Sequence, residues 1–302
     1  MSTVRLTREL LAMGYTSNEL ARQSRSGELI RLRRGAYVSE VEAEPEGAAR
    51  HLRLVEATVP LAAPDAVVSH VSAAVLHGLP VFSGRLDRVQ LTRTSVPGGK
   101  KRGGIHLHAA PLDESEILDV NGIRTTSLAR TIVDLGRSLP FEQAVVAGDA
   151  ALRRGLADEQ LRLCLDRSAR RPGMANARRV ASFIDPLSES PGESMSRVTL
   201  HVAGVPAPTL QYEVCDTLGR LIGRADFCWE EHRTLGEFDG RVKYGRLLKP
   251  GEKIEDVLFR EKLREDALRD LGWQVVRWIW ADLKAPNLIV DRLNRAFLRA
   301  HR

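Results

Sequence analysis

Lysine is scarce in this chain, with seven residues among 302 against 38 arginines, and cysteine is scarcer still with three. Cys164, Cys215 and Cys228 share no CxxC spacing, which argues against a disulfide framework or a structural zinc site. Reduced core residues are the simplest reading. No apolar run reaches the ~18 residues that a spanning helix needs, so no membrane association is expected. The first residues, Met1-Ser-Thr-Val-Arg-Leu-Thr-Arg8, lack the apolar centre of a signal peptide. A cytoplasmic protein is therefore expected.

What is present is a globular balance of 43% hydrophobic and 28% charged residues. The length suits two domains or three. The net charge of +6 is mild, but its carrier is informative. Arginine's planar fork suits phosphates and base edges better than an ammonium does. A genome rich in G and C produces the same ratio without any function, so position along the chain must decide.

The first forty residues concentrate the charge. Thr7-Arg-Glu-Leu-Leu-Ala-Met-Gly14 reads as a helix with Thr7 as N-cap and Gly14 just past its end. Thr16-Ser-Asn-Glu19 is a capping box that starts a second helix running to about Ser26. Leu10, Leu11, Leu20 and Leu29 supply the apolar face. A helix, a tight turn and a second helix is the helix-turn-helix layout. Glu28 to Val38, with β-formers on both sides of Arg33-Arg34-Gly35, reads as a two-stranded wing with a basic tip. Arg22, Arg25, Arg31, Arg33 and Arg34 stand against one acid, Glu28. Five arginines split between helix and wing suit a groove-plus-backbone contact with double-stranded DNA. A solvated basic face on a small structural motif is the plainer alternative. Residues Leu6-Thr7, Gly14, Gly27-Glu28-Leu29 and Arg31-Leu-Arg-Arg-Gly-Ala-Tyr-Val38 resemble the winged helix-turn-helix of AbiEi-type antitoxins. That resemblance implies an autorepressor of a type IV toxin–antitoxin system, with a cognate toxin as a partner.

An acidic linker at 40–47 separates this segment, taken as residues 1–45, from a central α/β region at 48–185. Helices are expected at 48–59 and 69–78, and strands at 88–93 and 105–108. The strands flank a basic, glycine-rich loop, Val96 to Gly104, which lacks the P-loop pattern and reads as an exposed tip. His70 and His77 are too far apart on one helix to share a metal. His106 and His108 share a strand face, but no further ligand cluster stands near them in sequence. Ser69 to Leu79 and Gly122 to Leu135 resemble the AbiEi-like region after the winged helix, which implies an interaction scaffold.

Residues 188–302 carry the densest chemistry. Ser190-Pro-Gly-Glu193 opens a helix with Met195, Val198, Leu200 and Val202 as apolar positions. Three strands follow, at 211–216, 221–229 and 234–240, then a helix at 253–271 and a strand at 274–279. Strand residues two apart share a face, so Glu237 and Asp239 are expected to point the same way, with Asp226 across the hairpin. Asp226, Glu237 and Asp239, with Glu193 on the covering helix, form a candidate site for Mg2+ or Mn2+. Lys243 is the candidate to orient a water or offset charge on a phosphodiester. Equally, Asp226, Glu237 and Asp239 read as hairpin charges paired with Arg224, Arg241 and Lys243. Trp273, Trp278 and Trp280 are expected in the core, as are Val257, Leu258, Leu263 and Leu268. Arg260 and Arg264 share a helix face and could meet a phosphate.

Glu193 with Arg197, Arg224-Ala-Asp226-Phe-Cys-Trp229, Gly236-Glu-Phe-Asp-Gly240 and Arg260 to Trp278 resemble the Vsr-like group of PD-(D/E)xK nucleases. The resemblance implies Glu193, Asp226, Glu237 and Lys243 as catalytic residues and phosphodiester hydrolysis as the activity. The lysine expected two residues after the acid is replaced by Asp239, so Lys243 has taken its role or the pocket is inactive. The resulting expectation is an α/β (α+β) chain: a winged helix-turn-helix, a central region and a restriction-endonuclease-like mixed sheet. Its function is read as DNA binding with metal-dependent endonuclease activity. The alternative is an AbiEi-like regulator with an inactive nuclease fold.

Overall fold

A computed structural model describes residues 4–39, 46–82, 86–240 and 254–300. The fold mixes helices with three separate sheets, an α+β arrangement. The chain divides into two compact units, Met1–Phe183 and Ile184–Arg302. None of the described helices is long and apolar enough to cross a membrane.

The first unit begins with β1 (Arg5–Leu6), α1 (Thr7–Ala12), α2 (Ser17–Ser26), β2 (Leu29–Arg33) and β3 (Ala36–Ser39). The expected Thr7 cap is displaced by one residue: Leu6 is the N-cap, and its N–H donates to Glu9 Oε2 at 2.9 Å. The capping box of α2 forms as expected, with Thr16 N–H donating to Glu19 Oε2 at 2.7 Å and Glu19 N–H to Thr16 Oγ1 at 3.2 Å. Gly27 ends α2 in the left-handed conformation at φ 86°. β2 and β3 form the wing, and β1 adds to β3 as a third antiparallel strand. Leu10, Leu20 and Leu29 make the small core with Tyr15 and Tyr37. Leu11, assigned to that face from the sequence, is instead 43% exposed.

Next come α3 (Gly47–Thr58), β4 (Val67–Val68), α4 (His70–Leu76), β5 (Val89–Arg93), β6 (Lys100–Arg102), β7 (Ile105–Ala109), β8 (Ile117–Val120) and β9 (Ile123–Thr126). The strands form one mixed sheet in the order β6-β7-β5-β4-β9-β8. The glycine-rich segment is thus partly a strand, with Lys100–Arg102 pairing antiparallel to β7. Alternation gives the sheet two unlike faces. Val68, Val89, Leu91, Leu107 and Ile123 pack with Leu54 and Val55 of α3. Gln90 and Thr92 lie between those apolar positions on β5, level with His106 and His108 on β7. Helices α5 (Leu128–Ser138), α6 (Phe141–Arg153), α7 (Asp158–Arg167) and α8 (Met174–Phe183) complete the unit, and α5 packs against α4 and all three others.

The second unit runs α9 (Pro191–Val202), β10 (Thr209–Cys215), β11 (Leu221–Trp229), β12 (Thr234–Phe238), α10 (Ile254–Asp270), β13 (Gln274–Trp278) and α11 (Pro286–Ala300). Its sheet order is β10-β11-β12-β13, antiparallel except for the β12–β13 pair. A parallel neighbour needs a crossover, and α10 lies on that connection. Phe227, Trp229, Phe238 and Trp278 pack with Leu200 of α9 and Ile289 and Leu293 of α11. Val214, Cys228, Leu235 and Trp273 pack with Leu268 of α10. Three apolar assignments fail here: Val202 is exposed, Leu263 is exposed, and Trp280 is 38% exposed against the edge of Phe238. The expected buried positions Val257 and Leu258 have side chains outside the described residues.

The α9–sheet contact has no spare volume. A Cβ at Gly192 would lie 2.0 Å from Phe238 Cε1, inside the ring's van der Waals envelope. Gly192→Ala should therefore lower the stability of the second unit by about 1–3 kcal/mol, the usual cost of overpacking. An unaltered urea midpoint would contradict this packing.

Candidate nucleic-acid interface

Arg22 and Arg25 lie exposed on α2, and Arg31 and Arg34 lie exposed on the wing. Arg25 Nε donates to the Ala21 carbonyl at 3.2 Å and Arg31 Nε to the Arg33 carbonyl at 3.4 Å, which leaves the rest of each fork outward. Arg33 behaves differently from its expected group. Its Nη1 donates to Thr58 Oγ1 at the end of α3, and burial lowers its pKa. Alternation alone would put Arg33 on the face of Arg31, but the β2–β3 register shifts between Arg31 and Arg33, and Arg33 turns to Thr58 of α3 while Arg34 occupies the turn with Gly35 at φ 89°. The outward cations are thus four of the five expected.

Glu193, Asp226 and Glu237 each have protein partners of their own. Glu193 is 4% exposed and caps its own helix. Its Oε1 accepts from Ser190 Oγ at 2.6 Å, and its Oε2 accepts from Glu189 N–H and Gln211 Nε2, both at 2.8 Å. Asp226 Oδ2 accepts the Phe238 N–H at 2.8 Å, tying β11 to the end of β12. Glu237 faces α10, where Arg264 Nη2 and Arg277 Nε each donate to one of its oxygens at 2.8 Å. Asp239 is half-buried just past β12, its N–H donating to the Trp278 carbonyl at 2.8 Å. Lys243 and Arg241 lie outside the described residues.

The electrostatics of Glu237 follow from that geometry. Glu261 and Glu265 join the same network, Glu261 bonded to both guanidiniums and Glu265 to Arg277. Burial disfavours the charge on Arg264, but Glu261 and Glu237 outweigh it and raise its pKa. Two guanidiniums therefore supply positive charge at the Glu237 carboxylate. Among the described residues no group of three or more His, Cys, Asp or Glu side chains is placed to hold a metal. The expected ion-pair partners also differ, since Arg224 pairs with Glu189 at 2.7 Å rather than with the hairpin acids. Arg264, expected as a phosphate contact, is committed to Glu237 and Glu261.

Two features escaped the sequence reading. Gln211 reaches Glu193 from a backbone at φ 51°, a left-handed conformation rare outside glycine, and strand propensity carries no signal of it. The other is a buried network on the polar side of the six-stranded sheet. Asp134 is fully buried and accepts from Arg130 Nε at 2.9 Å and Arg137 Nη1 at 3.0 Å. Arg130 continues to Glu116 Oε2 at 2.7 Å, and Cys164 Sγ donates to Glu116 Oε1 at 3.3 Å. His70 stacks on His108 with centroids 3.7 Å apart, while His77 bonds elsewhere, to the Thr126 carbonyl at 2.7 Å. Burial pushes His70 down to about 4 and His108 to about 3, so both rings are neutral at pH 7. The i, i+4 spacing of Arg130 and Asp134 was the available signal.

Known proteins enter against this geometry. The chain is 27% identical over 288 residues to the uncharacterized protein Rv2248 of Mycobacterium tuberculosis (strain ATCC 25618 / H37Rv), covering 94% of this chain and 98% of that one. The uncharacterized protein MT2308 of Mycobacterium tuberculosis (strain CDC 1551 / Oshkosh) gives the same identity and coverage. The crystal structure of the RV2827C protein from Mycobacterium tuberculosis aligns with a TM-score of 0.41 at 15% identity, over 71% of this chain and 84% of that one. Residues 6–39, from the end of β1 to the end of the wing, match the family model of the AbiEi antitoxin transcriptional regulators.

Proposed function

We propose that the chain is a DNA-binding transcriptional regulator of the antitoxin type, working in the cytoplasm with double-stranded DNA and a cognate toxin as partners. The observation that carries this reading is one coincidence. The segment matched to the antitoxin regulators is also the winged motif that turns Arg22, Arg25, Arg31 and Arg34 outward. In this reading residues 1–45 contact DNA, 48–185 are the scaffold region and 188–302 form a nuclease-type fold that does not cut. Arg33 serves the fold and Arg34 serves the DNA. Arg33→Ala should cost about 1 kcal/mol of stability and leave the salt dependence of duplex binding unchanged. Arg34→Ala should leave stability unchanged and lower that salt slope by about 0.9, the loss of one phosphate contact. Equal behaviour of the two variants would contradict this division.

The second reading, a metal-dependent endonuclease, is favoured by the order of elements in the second unit. A helix, three antiparallel strands, a helix and a strand parallel to the third follow one another. Against it stands the pairing of Glu237 with Arg264 and Arg277, which must open before that carboxylate meets Mg2+ or Mn2+. The expected result is duplex binding that survives EDTA and no nicking with either metal. EDTA-sensitive nicking that disappears in Asp226→Ala would put the endonuclease first, and Lys243→Ala would then test the displaced lysine.

A further inference from the structure

The glycine-rich segment of the first unit folds into a fixed hairpin that presents three cations. β6 pairs antiparallel with β7 through Lys100 and Leu107, Lys101 and His106, and Arg102 and Ile105. Gly103 and Gly104 close it at φ 57° and 77°, the positive-φ pair that a two-residue loop favours. The turn is also pinned, since the Val89 N–H of β5 donates to the Gly104 carbonyl at 2.9 Å. Lys100, Lys101 and Arg102 are all exposed, and none forms an ion pair among the described residues. Arg88 and Arg93 on β5 and its approach differ, being paired with Asp87 and Asp65.

Register decides where these cations point. Directly paired residues of an antiparallel ladder share a face. Lys100 and Arg102 therefore lie on the face of Leu107 and Ile105, and Lys101 on the face of His106. Leu107 and Ile105 pack against the same apolar cluster as Leu32 of the wing. The winged motif and two of the three β6 cations thus stand on one side of the six-stranded sheet. At ~4.8 Å between strands, β6 lies about 10 Å from β5, which α3 covers. No Asp or Glu occurs from Arg88 to Leu112, and a Cβ on Gly103 or Gly104 would meet nothing within 4 Å. An open, acid-free tip suits a polyanion that comes close to the backbone. Lysine on an edge strand also deters pairing between copies, but that role needs no particular face.

We infer that the β6–β7 hairpin is a second contact to duplex DNA, with Lys100 and Arg102 on backbone phosphates that flank the winged motif and Lys101 turned away. The inference rests on the DNA-binding reading and extends its contact surface beyond residues 1–45. Because the cations sit on a pinned hairpin rather than a loose loop, little order is lost when they meet the duplex. Phosphate contacts carry no sequence information, so the hairpin adds affinity and orientation and leaves the choice of site to the winged motif.

The test follows binding of the full chain to a duplex of about 30 base pairs by fluorescence anisotropy from 50 to 200 mM salt. Lys100→Ala combined with Arg102→Ala should make the slope of log affinity against log salt shallower by about 1.8, at ~0.9 per phosphate contact. Lys101→Ala should leave the slope unchanged, and Lys100→Arg with Arg102→Lys, which keeps both charges, should preserve it. All of these variants should melt within about 2 °C of the unaltered protein, because the side chains have no partners to lose. An unchanged slope in the double alanine variant, while Arg34→Ala still lowers it, would overturn the hairpin contact and keep the proposed function. Aggregation of that variant without a change in slope would likewise reduce β6 to a protected edge. An equal fall in Lys101→Ala would overturn the assignment by face. Absence of duplex binding by the unaltered chain would overturn the hairpin contact and the proposed function together.

Discussion

Asp134→Ala should destabilise the N-terminal unit by about 3–5 kcal/mol, the usual cost of removing one partner from a buried ion pair. Asp134 is fully buried between Arg130, itself fully buried, and Arg137, so its loss strands two guanidiniums with Glu116 as the remaining nearby acid. Although burial opposes its ionisation, His70, Arg130 and Arg137 hold the Asp134 carboxyl below the ordinary carboxylate range. Urea denaturation at pH 7 reads the effect, and a loss under 1 kcal/mol would contradict the network. Acid should act on the same place through the histidines. In the unfolded chain a histidine takes up a proton near pH 6.5, whereas folded His70 does so only near 4. Between those values the unfolded state holds more protons, so stability falls as pH drops from about 6.5 towards 4 and is unaffected above 6.5. His70 sits at φ 52°, which asparagine tolerates, so His70→Asn should flatten that decline without distorting the backbone.

Local signals carried the sequence reading where they were self-sufficient. Thr16 and Glu19 cap α2, Ser190 caps α9 and Gly35 turns the wing, each through atoms within a few residues. The strands of the second unit were legible from alternation because each is bounded by a turn, such as Asp216 to Gly219. What failed depended on partners far along the chain. Glu237 was matched with Asp226 and Lys243, yet its oxygens go to Arg264 on α10 and Arg277 on β13, 27 and 40 residues away. Arg33 looked like its neighbours Arg31 and Arg34, but Thr58 on α3 holds it. The two-residue strand β4 and the β8–β9 hairpin were missed because short strands carry too few residues to show a period.

The duplex-contacting role of the winged motif is tested most directly by the salt dependence of binding. Replacing Arg22, Arg25, Arg31 and Arg34 together with alanine removes four exposed cations while leaving the Leu10, Leu20 and Leu29 core and the Arg33–Thr58 bond in place. Binding to one duplex is measured for both proteins from 50 to 200 mM salt. If each arginine neutralises one phosphate, the slope of log affinity against log salt becomes shallower by about 3.6, at ~0.9 per contact. A slope equal to that of the unaltered protein, with duplex affinity retained, would place DNA contact elsewhere in the chain and contradict the account.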